Sequence, residues 1–197
     1  MDKLPVKRAL LSVTDKTGLS GFASFLADNG VELVSTGGTF KTLKDAGLPV
    51  IQVSDVTGFP EILGGRVKTL HPFIHGGILA DKDNPEHPET LKKHGIKPFD
   101  LVCVNLYDFS GALAKGLDVR STIEEIDIGG PCLLRASAKN YHSVLVLPGV
   151  DFYAEAMEEM KSGNMAVSLD FRRKTAAAAF AATSAYDAMI SKWMLGA

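Results

Sequence analysis

The sequence predicts an α/β protein of three layers, in which a mostly parallel sheet is covered by helices on both faces. Three observations carry that prediction. Strand, loop and helix follow one another twice within the first 50 residues, and each helix stops at a glycine, Gly30 and then Gly47. The run 99–106 (FDLVCVNL) is apolar almost throughout, as a strand buried on both faces must be. The 197 residues are 46% hydrophobic and 22% charged, which supplies one core and leaves no argument for disorder.

Taken in order, residues 6–13 (VKRALLSV) form the first apolar strand, and Leu19, Phe22, Phe25 and Leu26 give the next segment a helical period. A second strand over 31–35 runs into Thr36-Gly-Gly-Thr39, then a helix carrying Phe40, Leu43 and Lys44, then an extended segment over 49–53. Residues 54–87 are glycine-rich and irregular, yet Phe59, Ile62, Leu63, Leu70, Ile74, Ile78 and Leu79 recur through them, so a functional loop is expected rather than a disordered one. A polar surface helix is expected over 85–94 and a short acidic helix from Ser121. Pro131 suits the first turn of a helix over 132–140, followed by a strand over 143–147 and helices over 152–160 and 171–193. No internal repeat or linker divides the chain, so 1–197 is expected to be one domain.

Charge and targeting signals narrow the function classes. Twenty-one Lys and Arg against 23 Asp and Glu leave a net charge of -2, which is no footprint for nucleic acid. The first apolar run is too short for a secretory segment and no apolar run reaches the length of a membrane span, so a cytoplasmic protein is expected. Cys103 and Cys132 are isolated among apolar neighbours and are expected as reduced thiols.

Ligands of parallel α/β sheets sit beyond the carboxyl ends of the strands. There the sequence places Ser12, Thr14 and Lys16 after the first strand, Thr36, Gly37, Gly38 and Thr39 at a helix N-terminus after the second, and Asn105 and Tyr107 after the long apolar run. Backbone N–H groups and the helix dipole make the Thr36–Thr39 turn an anion cradle, although a threonine that merely caps the helix would look the same. In Gly64-Gly-Arg-Val-Lys-Thr-Leu-His-Pro72 the glycines permit close approach, and Arg66, Lys68 and Thr69 offer charge and donors to an anion. Asp127 lies between two isoleucines ahead of a glycine pair, which invites burial of a carboxylate. Arg135 and Lys139 stand four apart on the following helix; about 12 Å of helical rise from Pro131 to Lys139 keeps that lysine from Asp127 unless tertiary folding or substrate brings them together. His71 and His75 have the spacing of half a metal site, but no third ligand accompanies them and no metal is expected.

Together, Ser12-Val-Thr-Asp-Lys-Thr-Gly-Leu19, Ser35-Thr-Gly-Gly-Thr39, Thr57-Gly-Phe-Pro-Glu61, the Gly64 to Pro72 segment, Asn105-Leu-Tyr107, Ile126-Asp-Ile-Gly-Gly130 and Arg135-Ala-Ser-Ala-Lys-Asn140 resemble the inosine monophosphate cyclohydrolases, the amino-terminal half of a bifunctional enzyme of purine synthesis. The resemblance implies a methylglyoxal-synthase-like fold, a homodimer, no cofactor, and closure of formamido-imidazole-carboxamide ribotide (FAICAR) to inosine monophosphate (IMP) with loss of water. It assigns Lys68, Tyr107, Asp127 and Lys139 to the chemistry; for such a closure Lys139 is expected to shuttle protons, Asp127 to hydrogen-bond the carboxamide, and Lys68 and Tyr107 to orient and polarise the formyl group. Ser12, Thr14, Lys16, Thr36, Gly37, Gly38, Thr39, Arg66, Val67, Thr69, Asn105 and Ile128 would surround the nucleotide. The transformylase half is expected to be absent, and a separate transformylase is a candidate partner, with the source of the formylated substrate left open by the sequence. Asp108 departs from the family's Asn-Leu-Tyr-Pro-Phe and could alter the loop of Tyr107. A methylglyoxal-synthase-like lyase and a non-catalytic nucleotide sensor are the alternatives; the first does not call for the Gly64–Pro72 or Arg135–Asn140 segments, and the second leaves Lys68, Tyr107, Asp127 and Lys139 together unexplained.

Overall fold

The computed structural model describes residues 1–196. Its strands are β1 (Lys3–Pro5), β2 (Arg8–Ser12), β3 (Glu32–Ser35), β4 (Val50–Gln52), β5 (Leu101–Val104), β6 (Leu145–Leu147) and β7 (Ala166–Ser168). Five of them form a parallel sheet in the order β4-β3-β2-β5-β6, while β1 and β7 pair antiparallel as a separate ribbon. The α/β prediction holds, and the ribbon is an addition: three-residue strands with one buried side chain each carry no periodic signal.

Helices cover both faces because every central strand is apolar on both sides. Ala9 and Leu11, Leu33, Leu101 and Cys103, and Leu145 and Leu147 point into one core, which α1 (Leu19–Asp28) closes with Leu19, Phe22 and Leu26. Leu10, Val34, Val102 and Val146 alternate into the other core. There they meet α4 (Pro72–Leu79) through Ile74 and Ile78, α8 (Gly129–Lys139) through Leu133 and Leu134, and α10 (Leu169–Met194) through Ala176 and Ala179. The first core also takes Leu43 of α2 (Gly37–Asp45) and Tyr153, Ala156 and Met160 of α9 (Tyr153–Ser162).

The stretch expected to be irregular is more ordered than its composition suggests. It holds α3 (Val53–Thr57), a single 3-10 turn over Leu63–Gly65, α4 and the start of α5 (Glu86–Lys93). Pro72 begins α4 instead of breaking a helix there: it occupies the first turn, where no N–H is missed, and His71 caps that turn by accepting from the Phe73 N–H at 3.2 Å. Helix α8 likewise starts at Gly129, two residues before Pro131. Two short helices complete the chain, α6 (Phe109–Ala114), which the sequence reading missed, and α7 (Val119–Glu124), the expected acidic one.

Close packing of α4 on the entry to β5 depends on Gly77, where an added Cβ would lie 2.7 Å from the Lys97 carbonyl oxygen and 3.1 Å from the Phe99 ring. Gly77→Ala is expected to cost about 1–3 kcal/mol, visible in a thermal melt as about 2–4 °C of Tm per kcal/mol; an unchanged Tm would show that the helix can move away freely.

Candidate active site

The sheet reverses its winding between β2 and β5: from β2 the chain moves outward through β3 and β4, and from β5 it moves the other way to β6. Crossovers leave on opposite sides of that pair, so a crevice opens at the carboxyl ends of the two strands. A cavity of about 780 Å³ occupies it, lined by the residues that follow β2, β3 and β5 together with the 63–70 and 126–130 segments. Ser12, Thr14, Lys16, Thr36, Gly37, Gly38, Thr39, Arg66, Val67, Lys68, Thr69, Asn105, Tyr107, Asp127 and Ile128, which the sequence scatters over 117 positions, all line it.

One corner is built for an anion. Thr36 precedes α2 in extended conformation (φ -143°, ψ 160°), and its side chain makes no capping bond. The capping alternative for Thr36 is thereby removed, and the first N–H groups of α2 remain open with the positive end of the helix dipole. The buried Thr39 hydroxyl accepts from the Val13 N–H at 2.9 Å and donates to the Val13 carbonyl at 2.9 Å, pinning α2 to the loop after β2. Two ammonium groups face this turn. A Cβ on Gly37 would stand 3.6 Å from Lys68 Nζ, and one on Gly38 would stand 3.8 Å from Lys16 Nζ. Gly37 also has φ 55°, a left-handed conformation that suits glycine.

The neighbouring wall is held by Asn105. Its Oδ1 accepts from the N–H groups of Thr14 at 2.6 Å and Asp15 at 3.0 Å, and its Nδ2 donates to the Asp15 carbonyl at 2.9 Å. The side chain assigned to nucleotide contact is thus occupied in shaping the Thr14–Lys16 loop. Tyr107, 40% exposed, projects beyond it at the cavity rim. Asp108 caps α6, its carboxylate accepting from the Gly111 N–H at 2.9 Å, and that bond holds its pKa below the ordinary value.

In the same cavity the Asp127 carboxylate accepts the Gly130 N–H at 2.8 Å. Burial raises its pKa; the Gly130 and Tyr107 N–H groups and the charge of Lys68 act against that rise. A side chain on Gly130 would collide with this carboxylate, which explains the glycine. Thr69 is buried, with its hydroxyl 2.9 Å from where a Cβ of Gly129 would stand. Arg66 is engaged by a residue that the sequence reading passed over: its guanidinium donates to both oxygens of Glu124 on α7, one bond at 3.0 Å, joining two walls of the cavity mouth. Ile123 and Leu63 also line the cavity unforeseen; Leu63 has φ 55°, which no pattern in the sequence announces.

Lys139 is not brought to this cavity. It is exposed at the last turn of α8, whose first turn lines the site, so about 15 Å of helical rise separates it from Gly129. Arg135 on the same helix lies over the Phe180 ring at 5.6 Å.

A family model for the MGS-like domain matches residues 18–132, and one for the AICARFT/IMPCHase bienzyme matches residues 137–197. The bifunctional purine biosynthesis protein PurH of Rhodospirillum rubrum is 54% identical over 196 residues, covering 100% of this chain and 37% of that protein. The PurH of Paracoccus denitrificans is 53% identical over the same shares. The chain therefore spans about 37% of the length of the curated relatives it matches. The crystal structure of ForH superposes with a TM-score of 0.81 at 34% identity, covering 94% of this chain and 97% of that one.

A carboxylate whose pKa is raised by burial is a stabilising group only while protonated; as pH rises through its folded-state pKa that contribution is lost. Asp127→Asn, which keeps an oxygen for the Gly130 N–H, is therefore expected to raise Tm at neutral pH, by about 2–4 °C for each kcal/mol relieved, with the gain vanishing as pH falls below the ordinary carboxylate range. A variant less stable than the parent at pH 7 would contradict the desolvation argument.

Proposed function

The chain belongs to the MGS-like domain family, and we propose that it is an IMP cyclohydrolase, closing FAICAR to IMP with loss of water. One observation carries the reading: an anion cradle with two lysines shares a single cavity with a desolvated carboxylate. The likeness to PurH over the whole chain favours ring closure over a lyase or a sensor.

In this reading the 5′-phosphate sits on the open N–H groups of Gly37, Gly38 and Thr39, beside Lys16. The base then extends toward Asp127 and Tyr107, with Ser12, Thr14, Val67, Thr69 and Ile128 as walls and Arg66 released from Glu124 to meet the nucleotide. The carboxamide nitrogen attacks the formyl carbon and must give up one proton. Asp127, whose burial makes it a stronger base than an exposed aspartate, accepts it. The formyl oxygen gains negative charge, which the Lys68 ammonium stabilises with the Tyr107 hydroxyl nearby. That oxygen takes up the proton Asp127 removed and becomes a hydroxyl; a second proton, balanced by the one the formamido nitrogen loses as the new C=N bond forms, lets it leave as water. No electrons are transferred, so the step calls for no redox cofactor. The reaction is intramolecular once the torsions are fixed, and the cavity supplies much of the rate by fixing them.

The proposal includes a homodimer, a cytoplasmic setting and a transformylase that supplies the formylated substrate. Among the described residues no helix is long and apolar enough to cross a membrane. The dimer is the route by which Lys139 would enter the chemistry, since within one chain it stands exposed and away from the cavity.

Two variants separate binding from chemistry. Lys16→Ala removes a charge-assisted phosphate contact worth about 1.5–3 kcal/mol and is expected to raise KM about 10- to 100-fold with kcat little changed, whereas Asp127→Asn is expected to lower kcat by at least about 100-fold. Equal loss of kcat in both would defeat the phosphate assignment. Lys139→Ala and Asp127→Asn chains, unfolded together and refolded as mixed dimers, should recover about a quarter of parental activity if Lys139 serves the second copy's site; no recovery would refute that sharing.

A further inference from the structure

Helix α10 crosses the molecule from β7 to the cavity and packs along α8. Near its end Tyr186, only 4% exposed, accepts a hydrogen bond from the Asp127 backbone N–H at 2.8 Å through its phenolic oxygen. The same ring meets Phe109 edge-on, centroids 6.3 Å apart, and Phe109 in turn meets Trp193 of α10 at 5.6 Å. Phe109 is fully buried and begins α6, two residues after Tyr107. One helix therefore grips both segments that carry the reacting side chains, although it supplies no residue to the cavity lining.

The contact to Asp127 is the more telling of the two. The carboxylate accepts from Gly130, while among the described residues the only partner of the Asp127 N–H is Tyr186. Ile126 and Cys132 on either side make backbone bonds, to Ile123 and Ile128, that do not restrain the peptide joining Ile126 to Asp127. Without the phenol, that peptide is free to turn and its N–H is left unsatisfied in a half-buried place. We propose that Tyr186 is a positioning residue for the cyclisation: its hydroxyl sets the orientation of Asp127, and Phe109 transmits the same helix's position to the Tyr107 loop.

This inference rests on the cyclohydrolase reading for its kinetic consequence and on geometry alone for the contact itself. Tyr186→Phe keeps the ring and its packing on Phe109 and deletes only the hydroxyl. Displacing a reacting group by a fraction of an ångström costs rate far more than binding, so kcat is expected to fall about tenfold with KM changed less than about twofold. In the same variant, hydrogen exchange at the Asp127 amide should accelerate at least about tenfold while Tm stays within a few degrees of the parent. A lowered Tm with kcat intact would assign Tyr186 to stability alone and overturn the proposal, as would unchanged exchange at Asp127. A parent chain that fails to close the ring would sink the cyclohydrolase reading, and the exchange measurement would still decide whether Tyr186 holds Asp127.

Discussion

Everything the site does depends on the reversal of strand order between β2 and β5. A parallel sheet wound in one direction would cover its carboxyl edge with successive crossovers; here the two halves diverge and leave that edge open over the middle of the sheet. The register brings Ser12 level with Val104 and Leu11 level with Ser35, so the loops after three strands start at one height and face one another. Thr39 and Asn105 convert that opening into a defined wall, because each side chain is consumed in tying neighbouring loops together rather than left free for a ligand.

The electrostatics of the crevice run against stability. Two ammonium groups are gathered beside the positive end of α2, and a carboxylate is buried beyond Lys68 with its pKa raised. Each arrangement costs free energy, which in the proposed reaction a phosphate and a proton-donating amide would relieve, the behaviour expected of a preorganised site. The elements around the cavity are tied from outside it: by the Tyr186 phenol at the Asp127 N–H, the Asp108 cap on α6, and the fully buried Arg172, whose guanidinium joins α10 to the backbone carbonyls of Met1, Asp2 and Tyr141.

The sequence made the sheet legible because its strands are continuous apolar runs and its helices end at glycines, signals that are local and strong. It also made most of the cavity legible, since a parallel sheet commits the residues after each strand to one edge; Lys16, Thr36, Gly37, Gly38, Lys68 and Asp127 needed no structure to be picked out. What stayed hidden was long-range. Glu124 reaches Arg66 across 58 positions and Tyr186 reaches Asp127 across 59, with no periodicity linking either pair. Helix α4 was obscured by Gly76, Gly77 and Pro72, residues that depress helix propensity but are here required for a close approach to Phe99 and for the first turn. Lys139 also stayed hidden in its placement: its segment matches the family pattern, and within one chain it ends α8 about a helix length from the cavity.

The most direct test is the progress curve of IMP formation from FAICAR with the purified chain, set against an enzyme-free control. The account predicts first-order closure accelerated by several orders of magnitude and inhibited competitively by IMP. Closure at the control rate, with IMP still bound tightly, would contradict it and make the cavity a nucleotide sensor.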